Sequence, residues 1–194
     1  MDWKDGKNRC QWANPKNEKY IQYHDEEWGI PVYDDQRLFE MLVLESFQAG
    51  LSWECVLNKR EAFRKAFDDF DLAAVCSYGE EKITALKENP AIIRNRLKIQ
   101  AAVQNAKIFR QIQKECGSFS DYIWHWTDGN IIYEIGKTKS PLSDIVSADL
   151  KRRGMKFVGS TIIYAYMQAI GIIYSHEKGC FLECRKERGR NKNG

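Results

Sequence analysis

The sequence lacks the features that mark secreted, membrane-spanning or uniformly basic proteins. Its six cysteines are not densely spaced, and a chain of 194 residues is long enough to form a core without disulfide bonds. The first residues lack the apolar segment of a signal peptide, so we expect a cytoplasmic protein. The longest apolar run, residues 157–174, contains Ser160, Thr161 and Gln168, and predicts a buried helix rather than a membrane span.

The net charge is small and unevenly distributed. It is +3 overall, but residues 185–194 contain five basic residues and one acid, which leaves the rest of the chain near −1. This balance excludes a uniformly basic nucleic-acid binder, so any contact with DNA must come from local clusters. Two clusters are present, and for each the alternative is an ordinary solvated surface. They are Arg94, Arg96 and Lys98, and then Lys151, Arg152, Arg153 and Lys156.

Helical signals dominate the rest of the sequence. They predict helices at 34–48, 54–67, 71–76, 80–87, 94–115 and 143–153, and a last helix from Ser160 or Thr161. In the longest helix, Leu97, Ala101, Ile108 and Ile112 form the apolar stripe. Residues 131–135 fit either a short strand or a loop. No linker or repeat divides the chain, so we predict one all-α domain over 1–184 and a basic, flexible tail over 185–194.

The helix at 34–48 carries an acid on its apolar face. Leu38, Met41, Leu42 and Glu45 follow the i, i+3, i+4, i+7 pattern, so Glu45 is predicted to point inward. A buried carboxylate without a partner is costly, and Trp53 follows within ten residues. An acid beside a large aromatic ring suits a pocket for a flat, electron-poor ligand. The alternative is that Glu45 ends the helix in solvent.

Histidines and cysteines at the two ends of the chain have the residue types of a zinc site. His176 and Cys180 have the spacing that places two ligands on one face of a helical turn, and Cys10 and His24 lie near the other end. Together they predict a tetrahedral structural site that joins the two ends. Cys184, one turn further on, competes with Cys180. Four protein ligands leave no position for a water molecule, which argues against a zinc hydrolase.

Aromatic residues are concentrated around His24. They are Trp12, Tyr20, Tyr23 and Trp28. One interpretation is a hydrophobic cluster around the metal site, and the other is an aromatic slot. A cationic ring gains about 0.5–2 kcal/mol from each aromatic face, and Glu45 would add a charge-assisted hydrogen bond. Such a slot would select a positively charged base over a neutral one.

Taken together, the motifs resemble those of the bacterial 3-methyladenine DNA glycosylase I family. They are CQW at 10–12, YHDEEWG at 23–29, LE at 44–45, QAGLSW at 48–53, KFVGST at 156–161, and His176-x3-Cys180. They occur in the family's order and span nearly the whole chain, so the combination is specific.

The resemblance implies a fold and a set of site residues. The fold is an all-α single domain like that of the helix–hairpin–helix DNA glycosylase superfamily, with one structural zinc ion. The metal ligands are Cys10, His24, His176 and Cys180. Glu45 is the acid that contacts the damaged base, Tyr23 and Trp53 stack on it, and Trp12 and Tyr20 line the pocket. The superfamily's DNA-binding hairpin would lie at 89–100, where glycines are lacking, so side-chain contacts from Arg94, Arg96 and Lys98 are expected instead.

The resemblance also implies an activity. A monofunctional DNA repair glycosylase would flip out and hydrolytically release 3-methyladenine from double-stranded alkylated DNA. The protein is expected to be a cytoplasmic, nucleoid-associated monomer that does not bind membranes. Whether Glu45 mainly binds the base or stabilises the oxocarbenium ion is left open. The alternative is a non-catalytic, zinc-stapled protein that binds damaged DNA.

Overall fold

The computed structural model describes Trp3 and residues 5–183. The tail predicted at 185–194 and the alternative metal ligand Cys184 lie outside these residues. Within them the chain forms ten α-helices, one short 3-10 turn and two short strands. The prediction of a mainly helical chain is therefore confirmed.

The helices and strands follow one another with short connections. In chain order they are α1 (Glu18–Glu26), α2 (Asp35–Gln48), α3 (Trp53–Asn58), α4 (Arg60–Ala66), the 3-10 turn Asp68–Phe70, α5 (Leu72–Ser77), α6 (Glu80–Glu88), α7 (Arg96–Cys116), α8 (Phe119–His125), β1 (Ile132–Tyr133), α9 (Pro141–Arg152), α10 (Ser160–Ala169) and β2 (Ile173–Tyr174).

Helix α2 forms the centre of the core. Every residue from 38 to 47 is buried, and the helix packs against α3, α7, α8 and α10. Its start agrees with the sequence, because the Asp34 side chain accepts a hydrogen bond from the Arg37 amide at 2.9 Å and caps the first turn. Since α2 is enclosed on several sides, an acid on its inner face is shielded from bulk solvent.

Three helix predictions need correction. The helix predicted at 54–67 is two helices, because the backbone leaves the helical conformation at Lys59 and thereby lets Phe63 pack edge-on against Phe47 at 4.8 Å. Helix α9 begins at Pro141 rather than residue 143, because Ser140 forms a capping box. Leu97 is 68% exposed although Lys98 and Ile99 beside it are buried, because it lines a surface groove together with Lys156 and Phe157.

The long apolar run at 157–174, which was predicted to be one buried helix, contains a helix followed by a strand. Helix α10 stops at Ala169, and β2 then pairs in parallel with β1. The turn between α10 and β2 passes so close to Ile30 and Pro31 that a Cβ at Gly171 would lie 2.4 Å from their backbone atoms. Within 5–183 the structure contains no helix with the length and apolarity required to span a bilayer.

Helices α9 and α10 pack against each other and are joined by a compact hairpin over residues 153–159. Gly154 has φ +99°, and Phe157 also lies in the left-handed region with φ +55°. The Asn105 side chain on α7 bonds both backbone groups of Lys156 at 2.9 Å, and Ser147 donates to the Val158 carbonyl at 2.7 Å. These bonds fix the hairpin against α7.

Candidate functional site

A cavity of about 270 Å³ lies beside the C-terminal end of α2. Among the residues that line it are all five that were predicted to bind a base, namely Trp12, Tyr20, Tyr23, Glu45 and Trp53. They come from the N-terminal segment, α1, α2 and the first residue of α3. The fold therefore brings into one cavity residues that the sequence spreads over positions 12–53.

Glu45 is the buried acid of this cavity. It is 2% exposed, so the interpretation that it ends α2 in solvent is wrong. No side chain or backbone group within the described residues donates a hydrogen bond to its Oε2 atom. Burial raises the pKa of Glu45 to about 8. An acid held in this state gains strongly from a cation or a hydrogen-bond donor that enters the cavity.

The aromatic walls of the cavity are tilted rather than parallel. The rings of Tyr23 and Trp53 have centroids 5.2 Å apart and an interplanar angle of 47°. Trp12 lies 5.3 Å from Tyr20 and contacts Trp28 edge-on at 4.7 Å. Burial raises the pKa of Tyr20 to about 12, to which the charges of Glu54 and Glu45 contribute, and burial also raises the pKa of Tyr23 well above its usual value. The phenols therefore stay neutral, and the acid is the ionisable group of this wall.

Several residues lining the cavity were not predicted as site residues. They are Trp28, Gln48, Gly136, Lys137, Ala165, Gln168, Ser175 and Glu177. Trp28 was already part of the aromatic group around His24, and two others carried a signal in the sequence. Gln48 lies three residues after Glu45 on the same face of α2, and Gln168 is a polar residue inside the apolar α10. The loop residues Gly136 and Lys137 gave no periodic pattern that could have placed them here.

The four predicted metal ligands also meet. Cys10, His24, His176 and Cys180 are all buried, and their ligand atoms lie within 4.8 Å of one another. The Cys180 sulfur is 3.5 Å from His24 Nε2 and 3.6 Å from His176 Nδ1, and the Cys10 sulfur is also 3.6 Å from His176 Nδ1. Two thiols and two imidazoles at this spacing are able to hold a metal ion.

The local geometry of the C-terminal pair differs from the prediction. Residues 175–180 form a turn rather than a helix, because Gly179 has φ +84° and the Cys180 amide bonds to the Glu177 carbonyl at 3.0 Å. The turn nevertheless points His176 and Cys180 at the same centre. The x3 spacing therefore identified the pair, although the helical reason given for it was wrong.

The outward-facing nitrogen of each histidine has a partner. His24 Nδ1 lies 2.8 Å from Asp25, which also accepts two hydrogen bonds from Arg9 at 2.8 and 2.6 Å. His176 Nε2 lies 3.3 Å from the Trp28 carbonyl oxygen. Such partners fix the ring orientation, so His24 Nε2 and His176 Nδ1 face the cluster. Trp12 and Trp28 belong to both regions, because each lines the cavity and also contacts a histidine ring of the cluster.

The three basic residues predicted to contact DNA have different environments. Arg94 is exposed, and Arg96 is exposed and paired with Glu80. Lys98 is 7% exposed, and its ammonium group donates to the Phe47 carbonyl at 2.8 Å and to the Ala49 carbonyl. A cation held inside the protein in this way is not available to a phosphate, so the structure argues against this role for Lys98.

The second basic cluster lies on the hairpin between α9 and α10. Lys151, Arg152 and Lys156 are exposed. Arg153 is partly buried and bonds to Asp149 at 2.8 Å and to Glu115 at 2.5 Å. The cluster therefore presents three side chains to solvent, of which Arg152 also pairs with Asp149, and uses Arg153 within the fold.

Comparison with known sequences gives one family. The sequence model of the family described as Methyladenine glycosylase matches residues 12–183. The chain is 43% identical to DNA-3-methyladenine glycosylase 1 of Escherichia coli K12 over 179 residues, which covers 89% of this chain and 95% of that protein. It is 41% identical to DNA-3-methyladenine glycosylase of Haemophilus influenzae, with 89% and 96% covered.

Solved structures give the same result. A crystal structure of 3-methyladenine DNA glycosylase I aligns with a TM-score of 0.86 at 43% identity and covers 90% of this chain and 98% of that one. The Staphylococcus aureus enzyme, described in terms of its recognition of 3-methyladenine, aligns with a TM-score of 0.85 at 35% identity. That alignment covers 89% of this chain and 95% of the other.

Proposed function

Because the chain belongs to the methyladenine glycosylase family, we propose that it is a DNA repair enzyme that extrudes 3-methyladenine from alkylated DNA and releases it by hydrolysis. The relatives named above carry this activity in their names. The observation that carries the proposal for this chain is the buried Glu45, whose Oε2 atom has no hydrogen-bond donor among the described residues, at an aromatic cavity.

The chemistry of the lesion explains why a binding pocket suffices. Methylation at N3 makes adenine cationic, so the base leaves as a neutral molecule when its bond to the sugar breaks. The enzyme must extrude the nucleotide, hold the base and admit water to the sugar carbon. Extrusion costs a few kcal/mol, and less for a damaged base. Selectivity therefore depends on a pocket that binds the cationic base better than a neutral one.

In this proposal Glu45 supplies the selectivity. A cation in the cavity stabilises the ionised acid and lowers its raised pKa. The carboxylate can then accept a hydrogen bond from the exocyclic amine, while the rings of Tyr23 and Trp53 contact the base. The same negative charge would stabilise positive charge that develops on the sugar in the transition state. Trp12 and Tyr20 would complete the pocket wall.

For the DNA interface, the α9–α10 pair with its hairpin over 153–159 is a better candidate for the helix–hairpin–helix element than residues 89–100. The hairpin contains Gly154, Gly159 and the exposed Lys156, and Lys151 and Arg152 beside it are also exposed. The start of α7 is adjacent, because Leu97, Lys156 and Phe157 line one groove. We therefore extend the interface to Arg94 and Arg96. Phosphate contacts of this kind position a protein without reading sequence.

The cluster of Cys10, His24, His176 and Cys180 fits a structural zinc ion. The donor set is one that zinc takes in closed tetrahedral sites, and the outward-facing histidine nitrogens have partners that orient them. Zinc there would contribute folding energy by joining the two ends of the described chain. Four protein ligands leave no position for a reacting water, so the hydrolytic step is assigned to the pocket.

The remaining parts of the proposal concern partners and location. We expect a monomer that acts on double-stranded DNA in the cytoplasm, in association with the nucleoid. Light scattering of the purified protein, alone and with a duplex, would test the oligomeric state.

The direct test is incubation with N-methylated duplex DNA, followed by chromatographic identification of the released base. We expect 3-methyladenine to be released by the native protein and much less by Glu45→Gln. Native protein that binds the damaged duplex tightly but releases no base would favour the alternative of a non-catalytic damage-binding protein.

A further inference from the structure

The C-terminal end of α2 carries carbonyl groups that α2 itself does not satisfy. The last carbonyls of any helix lack partners within it, and they form the negative end of the helix dipole. Basic residues in the last turn often relieve this, but the last turn of α2 contains none. Because Phe47 is buried and Gln48 and Ala49 are half-buried, the carbonyls at this end of α2 are partly shielded from water and gain from a donor on another element.

Lys98 on α7 is that donor. Its ammonium group donates to the Phe47 carbonyl at 2.8 Å and to the Ala49 carbonyl, which are 51 and 49 positions away in sequence. Burial lowers the pKa of Lys98, so its charge is held there at the cost of desolvation. The ammonium also lies 5.8 Å from the centre of the Phe157 ring on the hairpin. Three elements therefore meet at one buried cation.

The carbonyls that Lys98 holds lie between two walls of the base pocket. Ala49 is four residues after Glu45 and four residues before Trp53. The intervening turn is tight, since Gly50 has φ +80° and the Leu51 amide bonds to the Gln48 carbonyl. Ser52 then caps α3 by accepting from the Cys55 amide at 3.2 Å. A shift of Ala49 would therefore move the acid and the aromatic ring relative to each other.

We propose that Lys98 is a positioning residue for the base pocket and that it does not contact DNA phosphate. By donating to the Phe47 and Ala49 carbonyls, it fixes the end of α2 and the turn that leads into α3. The proposal rests on the proposed function only in taking 3-methyladenine as the pocket's ligand. Lys98 acts through the backbone rather than through charge, because burial is the cause of the raised pKa of Glu45. Loss of the ammonium should therefore alter pocket geometry without moving the ionisation of Glu45.

The test compares Lys98→Met with Lys59→Met. Lys59 is a matched control, because its ammonium donates to the Ala91 carbonyl at 3.0 Å, and neither residue lines the cavity. Three quantities are measured: affinity for free 3-methyladenine, affinity for an undamaged duplex at several salt concentrations, and the pH profile of single-turnover excision. For Lys98→Met we expect base affinity to fall about tenfold, as for loss of a hydrogen bond to a charged group. Duplex affinity, its salt dependence and the midpoint of the pH profile should stay unchanged, as should all values for Lys59→Met.

Conservative variants separate positioning from folding. Lys98→Arg keeps a cationic donor and should recover part of the lost base affinity. If Lys98→Met does not fold, Lys98→Gln replaces it, since the shorter neutral amide cannot reach both carbonyls and should still weaken base binding. Wild-type base affinity in the folded Met or Gln variant would overturn the proposal, as would weaker duplex binding with a shallower salt dependence. Failure of the native protein to excise would instead count against the proposed function, since base binding is measured separately.

Discussion

The metal cluster and the base pocket both bury polar side chains, but the cluster supplies hydrogen-bond partners for them, whereas the pocket leaves two polar atoms without one in the described part of the chain. At the cluster, the outward nitrogens of both histidines have partners, and the sulfurs of Cys10 and Cys180 accept from the backbone amides of Glu177 and Leu182. At the pocket, Glu45 Oε2 and Trp53 Nε1 have no hydrogen-bond partner among the described residues.

This difference separates a site that stabilises the fold from a site that binds a ligand. A buried polar network whose members are all satisfied holds one arrangement of the chain. A buried group without a partner costs stability and recovers that cost only when a ligand supplies the partner. The two regions share a wall, because Trp12 and Trp28 contact the histidines and also line the cavity. The following predictions ask how independent they are.

The largest effect should come from the cluster. In Cys10→Ser or His176→Ala one ligand is lost, and we expect unfolding free energy to fall by several kcal/mol, with the melting temperature lower by roughly 2–4 °C per kcal/mol. Excision measured well below the melting temperature should be reduced much less. Calorimetry and metal analysis check this, with Cys116→Ser as the control because that thiol is exposed. If metal-free protein melted at the same temperature as the native protein, the cluster would not be a site that stabilises the fold, and it would not differ from the pocket in this respect.

The next largest effect should come from the acid of the pocket. Glu45→Gln keeps the size of the side chain but removes its charge, so release of 3-methyladenine should fall by about 10²-fold, as for loss of one electrostatic contact in a transition state. Binding to undamaged duplex should not change. Glu54→Gln is the matched control, since Glu54 lies beside Trp53 but bonds to Asn14 and Asn17 outside the cavity. Excision at the native rate by Glu45→Gln would leave the acid without a catalytic role.

Much of this comparison could be predicted from sequence, because it depends on local patterns. The family inferred from the motifs is confirmed. The helical period placed Glu45 inside, and acids before helices gave the caps at Asp34 and Asp71. The residue types of the cluster could be read from the sequence, although spacing left Cys180 and Cys184 as alternatives and only the family motif selected the four residues that meet.

Some errors are local, such as the helix break at Lys59 and the turn at 175–180, but those that affect residue roles concern contacts between elements that are distant in sequence. Lys98 follows two exposed arginines and was grouped with them, but its partners lie on α2. Nothing near Lys98 in the sequence shows that the end of α2 lacks a cap. Gln168 reaches the cavity only because α10 packs against α2. Such assignments need the tertiary arrangement, since local sequence does not specify it.

A pH experiment sharpens the account of the pocket as a site that costs stability. Glu45 has a folded pKa raised from 4.5 to about 8. Between these values the folded protein binds more protons than the unfolded chain, so the contribution of Glu45 to unfolding free energy is present below pH 4.5 and is lost as pH rises towards 8. Urea denaturation from pH 5 to pH 8 should therefore show the stability of Glu45→Gln increasing relative to native protein, by a few kcal/mol at most. If the stabilities of the two proteins changed with pH in parallel, burial would not raise the pKa of Glu45.

The smallest effect should come from the surface, which should leave both buried regions unchanged. Lys151→Gln removes an exposed cation beside the α9–α10 hairpin, and Lys156→Gln removes one within it. If both contact phosphate, each should reduce the slope of log affinity against log salt by about one, equally for all duplex sequences. Affinity for free 3-methyladenine and the melting temperature should match those of native protein. Lys19→Gln, an exposed lysine on α1, is the control. An unchanged salt slope in both variants would place the DNA surface elsewhere, whereas weaker binding of the free base would show that the hairpin and the pocket are coupled, through Phe157 and Lys98.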